Sequence, residues 1–470
     1  MSTRTLRAVG LPLVLGLAMA GCSDSSDSRR QLPDDSDGGV VQPEPERPGV
    51  NAQLREIVSA QGLTGNPAAG RDLPAIADPL PQLGMKLFFS KALGGQADAA
   101  CVTCHHPVLG GGDDLSLPVG VDAEFPDLLG PGRLHSMAGF HFDGGPTVPR
   151  NAPTTFNIGL WDQVLFHDGR VESLGKTAGT NGADGAGIRT PDSPFGEADP
   201  RADNLTQAQA LFPVTSPEEM RALYLQGESN QAVRDGLVAR LVSQELPNTW
   251  LQEFQQAFDS SAEAVDLITY DNVALAIGEY ERSQVFVDTP WRAYVEGDDD
   301  AISDDAKRGA LLFYTDSADG GAGCVACHSG DFFTDEQFHV LAMPQVGRGK
   351  GDGEFGDDDF GRQRETGAAA DRYAFRTPSL LNVTATGPWT HAGAYTDLED
   401  VIRHHLDPAA AIDRYDFTLQ DLDPGMQGEH AEENTRKALA RLEALRDSGE
   451  SRLPPASELG DTEVAQLLAF

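Results

Sequence analysis

Cysteine is scarce: the chain has five in 470 residues, too few for a dense disulfide framework. Basic residues are few as well, 35 Lys and Arg against 73 Asp and Glu, which gives a formal net charge of −38. Nucleic acid and anionic membrane surfaces repel such a body. A basic electron-carrying partner would be steered toward it, but the same excess suits a surface adapted to salt, so charge alone names no partner. A membrane-spanning apolar run is missing at the N-terminus. There, Ala8 to Ala20, preceded by Arg4 and Arg7, is too short to cross a bilayer as a mature helix.

That run ends Met19-Ala20-Gly21-Cys22, small residues just before a cysteine. Residues 1–22 therefore read as a lipoprotein-type signal peptide, with Cys22 as the lipid-bearing residue. An ordinary secretory signal with an incidental cysteine has the same outline. Either way the chain is exported and periplasmic; in the lipoprotein reading it is held to a membrane through its N-terminal lipid alone. Residues 23–52 are rich in Ser, Asp, Pro and Gly and read as a disordered tether, with order starting near Leu54.

The other four cysteines stand in two copies of one pentapeptide, Cys101-Val102-Thr103-Cys104-His105 and Cys324-Val325-Ala326-Cys327-His328. This spacing lets both thiols form thioethers to one haem while the next imidazole reaches its iron. A closed zinc site would leave the following histidines unexplained, and a disulfide reductase would not need two copies. All cysteines are then used, and no disulfide is expected.

The copies belong to a longer repeat. Gly84-x-x-Leu87-Phe88 precedes the first pentapeptide and Gly309-x-x-Leu312-Phe313 the second. Pro153-x-x-x-Asn157 followed by His167, Gly169 and Leu174 matches Pro378-x-x-x-Asn382 followed by His391, Gly393 and Leu398. The expected fold is mainly α, two fused cytochrome c-like domains with one c-type haem each, over 53–297 and 298–470. Helices are expected before Cys101, at Asn272–Ser283 with Val273, Ile277 and Tyr280 on one face, and at Glu432–Arg446. The sequence stops at Phe470 inside an apolar periodic segment, which leaves a longer natural chain open.

Together with Pro149-Arg150-Asn151-Ala152-Pro153-Thr154, Phe166-His167-Asp168-Gly169-Arg170, Ser216-Pro217-Glu218-Glu219-Met220 and Phe375-Arg376-Thr377-Pro378-Ser379-Leu380-Leu381-Asn382, these features make the chain resemble the bacterial di-haem cytochrome c peroxidases, MauG-type enzymes included. The resemblance implies an oxidoreductase that reduces hydrogen peroxide with electrons from a small cytochrome c or cupredoxin. Peroxide would meet the first haem, and the second would relay electrons. It leaves a homodimer open. Peroxide-driven oxidation of a partner protein and pure electron transfer are the alternative functions.

The resemblance also assigns residues. His105 and His328 become the proximal ligands of the two haem irons. Gln209 and Glu219 match the family's peroxide pocket, with Glu219 as base and then acid and Glu218 as the weaker candidate. Ser216 to Glu219 also reads as a helix-capping box. The position of the family's blocking histidine falls on Val121, with His135 and His141 as substitutes. The sixth ligand of the second iron falls on His405, with His404 and Met343 as rivals. The family's relay tryptophan is His167 here, which turns attention to Trp161 and Trp389. Asn151, Thr386 and Pro388 match a calcium site. The acidic run Asp352–Asp359 reads as a solvated loop, and 175–204 as a long loop near the peroxide pocket.

Overall fold

The computed structural model describes residues 49–138, 148–243, 250–418 and 428–470. The signal peptide, nearly all of the tether and His141 lie outside them. Helices dominate. The first part of the chain forms α1 (Val50–Gln61), α2 (Pro79–Phe88), α3 (Leu205–Gln209), α4 (Asn230–Val242), α5 (Trp250–Ala257), α6 (Ala264–Leu267), α7 (Tyr270–Arg282) and α8 (Pro290–Glu296). The rest forms α9 (Asp304–Tyr314), α10 (Gln363–Thr366), α11 (Leu398–Leu406), α12 (Pro408–Arg414), α13 (Ala431–Asp447) and α14 (Asp461–Ala469). Strands are short. β1 (Val164–Leu165), β2 (Val171–Ser173) and β3 (Ile188–Arg189) form one antiparallel sheet, and β4 (Phe338–Val340) pairs antiparallel with β5 (Ala374–Arg376). No described helix is long and apolar enough to cross a membrane.

The repeat has a packing cause. In α2 the chain turns Leu83, Gly84, Leu87 and Phe88 inward. A Cβ on Gly84 would lie 1.8 Å from the carbonyl oxygen of Ala276 in α7, so the two helices cross at backbone contact and only glycine fits. In the second half a Cβ on Gly309 of α9 would lie 1.9 Å from the carbonyl oxygen of Gln466 in α14. The two asparagines of the repeat share a job too. Asn157 and Asn382 both take the left-handed conformation, with φ of 61° and 59°. Both side-chain amides donate to the Phe286 carbonyl, at 3.4 and 2.9 Å.

The main cores follow these crossings. One joins Leu83, Leu87, Phe88, Leu205, Leu211, Leu237, Phe254, Val273, Ile277 and Tyr280. A second joins Trp291, Tyr294, Ala310, Phe313, Tyr314 and Leu467 with Leu54 and Val58 from α1. The packing therefore does not follow the expected 297/298 line, because α1 and α8 bury their apolar faces against α9 and α14. Residues 50–52, read as tether, are the first turn of α1.

Buried charges fasten the halves together. Arg150 donates Nε and Nη2 to the Asp359 carboxylate at 2.7 Å each and Nη1 to Asp168 at 2.5 Å. Arg362 reaches Glu172 at 2.6 Å and the carbonyls of Asp168 and Gly169. The acidic run is thus not solvated throughout. Asp358 and Asp359 are 2 % exposed; Asp358 accepts from Gln345 and Tyr373, and Asp357 pairs with His430 at 2.7 Å.

Candidate active site

One continuous cavity of about 750 Å³ touches both pentapeptides. Cys101–Thr103 and Cys324–Ala326 each form a single helical turn, which brings both cysteines and the following histidine of each copy to the cavity wall. His105 Nδ1 donates to the Gly111 carbonyl at 3.2 Å, and His328 Nδ1 to the Phe333 carbonyl at 3.0 Å. With Nδ1 carrying the proton, each Nε2 keeps its lone pair for a metal. Burial lowers the pKa of both rings; His328, which also faces His405, falls to about 4. Both rings are neutral at neutral pH. Burial likewise keeps the Cys101 and Cys104 thiols protonated. The residues thus fit c-type haem at both places.

The second place has a partner on its far side. The His405 ring lies 6.4 Å from the His328 ring, centroid to centroid. With metal–nitrogen bonds of about 2 Å, two imidazoles clamping one metal put their centroids about 6 Å apart. His405 Nδ1 donates to the Val401 carbonyl at 2.8 Å, so its Nε2 is also unprotonated. The rival His404 is fully buried with both nitrogens engaged: Nε2 donates to the Leu341 carbonyl and Nδ1 accepts from the Tyr395 hydroxyl, each at 2.9 Å. Met343 also lines the cavity.

Around the first place the cavity wall carries Gln209, at the end of α3, and Glu219. Glu219 sits in a π-helical turn, Pro217–Arg221, begun by the Ser216 hydroxyl accepting from the Glu219 N–H at 3.3 Å. The capping reading and the cavity reading hold together, since the cap uses the backbone of Glu219 and the cavity its carboxyl. Burial raises the Glu219 pKa, opposed by Arg170 and Lys350. Arg170 Nη2 is 3.8 Å away. The loop bearing Val121 packs behind this turn, with Val121 fully buried and its N–H directed to the Glu218 carbonyl at 3.4 Å. His135 is buried in that loop region but is not on the cavity wall. Residues 175–204, expected near the pocket, contribute no cavity-lining side chain among the described residues.

His167, Trp161 and Trp389 are all on the cavity wall. His167 Nε2 donates to the Asn151 carbonyl at 3.1 Å. Trp161 carries the Arg376 guanidinium 3.5 Å above its ring, and a cation there disfavours loss of an electron. Trp389 donates its indole N–H to the Val383 carbonyl at 3.0 Å. Asn151, Thr386 and Pro388 share the wall. The Asn151 amide nitrogen donates to the carbonyls of Leu115 and Ser116 at 3.0 and 3.2 Å, which turns its oxygen the other way, as a hard cation needs. Cys327, Asp335 and His339 converge within 4.8 Å, but a thioether at Cys327 leaves Asp335 and His339 as an ion pair.

Sequence reasoning gave no role to Arg150, Asp168, Arg170 and Arg376, although each lies in a motif. It passed over Lys350, which lies just before the acidic run and lines the cavity. It also passed over Glu281, buried on the wall in α7 with Oε2 unpartnered and its pKa pushed up by burial to about 8.

Known proteins resemble this chain in sequence and in fold. The family model for di-haem cytochrome c peroxidase matches residues 79–300. The methylamine utilization protein MauG of Methylorubrum extorquens is 29% identical over 77% of this chain and 77% of its own length. Cytochrome c551 peroxidase of Pseudomonas aeruginosa is 27% identical over 70% of this chain and 71% of its own. Among solved structures, a MauG-like protein associated with microbial copper homeostasis superposes with a TM-score of 0.53 at 20% identity, covering 84% of this chain and 89% of that one. The di-haem peroxidase BthA of Burkholderia thailandensis gives 0.53 at 18% identity, over 86% and 87%. With two haem-type pentapeptides on one cavity and Glu219 near the first, the chain resembles the di-haem cytochrome c peroxidase family, oxidoreductases that act on peroxide, and residues 79–300 match that family's model.

Proposed function

We propose that this protein reduces hydrogen peroxide to water with electrons from a small redox protein, a cytochrome c or cupredoxin, in the periplasm. The observation that carries the reading is the asymmetry of the cavity. Glu219 and Gln209 share the wall with His105, while His328 is faced by His405. Two c-type haems, when bound, supply the electrons and the metal at which the O–O bond is cleaved. His105, Cys101 and Cys104 would hold one; His328, His405, Cys324 and Cys327 would hold the other.

The chain's own part is proton handling and closure. Glu219 takes a proton from one peroxide oxygen and returns it to the other, which leaves as water. Its raised pKa favours the return, while Arg170 and Lys350 keep enough carboxylate for the first transfer. Gln209 holds peroxide or water by hydrogen bonds. His405 denies peroxide the second place. Asn151, Thr386 and Pro388 would bind a calcium ion that stiffens the wall between the two. The N-terminal lipid on Cys22 would tether the enzyme.

A second reading, peroxide-driven oxidation of a partner protein, is favoured by Val121, which leaves no blocking histidine at that position. Stopped-flow mixing of the haem-loaded protein with peroxide, with and without reduced cytochrome c, tests both. Rapid donor oxidation is expected. A long-lived oxidised state without donor turnover supports the second reading, and no spectral response rejects both.

A further inference from the structure

Behind His405 the chain places a phenol with a base. His404 donates Nε2–H to the Leu341 carbonyl, so its Nδ1 is the acceptor for the Tyr395 hydroxyl at 2.9 Å. Tyr395 is 6 % exposed. Its ring lies 5.7 Å from His404 on one side and 5.4 Å, edge-on, from Tyr415 on the other; Tyr415 in turn lies 4.8 Å from Phe417. Tyr395 and Tyr415 both line a separate polar notch of about 220 Å³, together with Asp400, Arg403 and Arg414. The rings thus step outward from the helix that carries His404 and His405.

A phenol that loses an electron becomes a strong acid, so it gives up that electron readily only where its proton has somewhere to go. The described tyrosines differ on this point. Tyr314 has no partner for its hydroxyl. Tyr270 and Tyr415 donate to the amide carbonyls of Ala210 and Ala394, which are poor bases. Tyr373 donates to Asp358, but the Arg372 guanidinium lies 5.1 Å from its ring centroid and opposes a positive hole. Tyr395 alone among them donates to an imidazole, and that imidazole neighbours the expected ligand of the second iron.

From this we infer that Tyr395 and His404 form a redox-active pair that carries oxidising equivalents from the second haem site to the notch at Tyr415, where a small phenolic donor is oxidised. The inference rests on the peroxidase reading, because peroxide supplies the oxidant. In the step, Tyr395 gives one electron toward the His405 side. Its O–H bond breaks and an N–H bond forms at His404 Nδ1, leaving a neutral phenoxyl and an imidazolium. A phenol at the notch then gives one electron through Tyr415 and its own proton to solvent, while the proton on His404 returns to the Tyr395 oxygen. Two such cycles balance the two-electron reduction of one peroxide.

The test uses the haem-loaded full chain, freeze-quenched after peroxide and examined by electron paramagnetic resonance, with guaiacol as the phenol. A tyrosyl signal is expected that disappears in Tyr395→Phe, and guaiacol oxidation should disappear with it. Tyr415→Phe should keep the signal and slow its decay when guaiacol is added. Unchanged resting spectra of both haems in the variants show that the fold is kept. A peroxide response with no tyrosyl signal, or with the same signal in Tyr395→Phe, overturns the inference and leaves the peroxidase reading standing. No response to peroxide in the unmodified protein overturns both.

Discussion

The imidazoles of His328 and His405 face each other with ring centroids 6.4 Å apart, although 76 residues separate them in sequence. That spacing suits two imidazoles holding one metal between them, the arrangement proposed above for the second haem. His405→Ala is therefore expected to open the second haem, turning a six-coordinate low-spin spectrum into a high-spin one. Visible and magnetic-resonance spectra check this, and a spectrum identical to the parent would return the assignment to Met343 or His404.

Glu219→Gln should slow the peroxide step by about 10²–10⁴-fold, the usual worth of a positioned acid–base group. Only the carboxylate can take the first proton. The rate of the unmodified protein should thus fall as the pH drops through the raised Glu219 pKa, and the variant should lose that dependence. Single-turnover kinetics with peroxide across pH supply the check; a variant with the parental rate and profile would remove Glu219 from the chemistry.

Gly120 holds Glu219 from behind. A Cβ there would lie 2.4 Å from the Glu218 carbonyl oxygen and 2.5 Å from that of Glu219. Arg133 fixes the same loop by donating to the carbonyls of Val119 and Gly120 at 2.6 and 2.7 Å. Gly120→Ala should push the Glu219 turn aside and slow the peroxide step while both resting haem spectra persist. Parental kinetics in a well-folded Gly120→Ala protein would show that the turn is placed by something else.

Arg150 neutralises two buried carboxylates, and its loss should be costly. Arg150→Met would strand Asp359 and leave Asp168 with Arg170 alone, at 3.3 Å, a destabilisation of about 3–5 kcal/mol, read from urea unfolding. A drop below about 1 kcal/mol, the scale of an exposed pair, would mean that water reaches the site.

Glu281 should make stability depend on pH. Its folded pKa of about 8 stands above the ordinary 4.5, so the folded chain holds the proton more tightly than the unfolded one. The stability this contributes is fully present below about pH 4.5 and is lost as pH rises through about 8. The urea midpoint of the unmodified protein should fall across that window and that of Glu281→Gln should fall less. Parallel curves would clear Glu281 of the effect.

Much of the architecture was legible because the repeat is made of residues with no substitute. Gly84 and Gly309 stand at backbone-to-backbone helix crossings, and Asn157 and Asn382 take a left-handed turn around Phe286. Such constraints leave a pattern in the chain. The family's spacing points to His405 with His404 as its rival; adjacent positions on a helix differ by about 100° of rotation, so the count alone leaves the two close, and the ring orientations favour His405. The buried role of Asp358 and Asp359 was hidden. Their cationic and amide partners, Arg150 and Gln345, lie elsewhere in the sequence, and an acidic run looks solvated until those partners are in place. The placement of α1 was hidden for a similar reason: Leu54 and Val58 mark an apolar face but not the helices that cover it.

That placement bears on the order in which the molecule can mature. The first core draws on residues between Leu83 and Tyr280, so a growing chain can close it before its last helices exist. The second core needs Leu54 and Val58 from one end and Leu467 from the other, with Phe470 set 4.9 Å from Trp291. Its apolar α1 face finds cover only once the helices after residue 290, α8 and α9 first among them, have been made. A nick or truncation at either end would then injure the same haem pocket, the one at His328, and spare the pocket at His105.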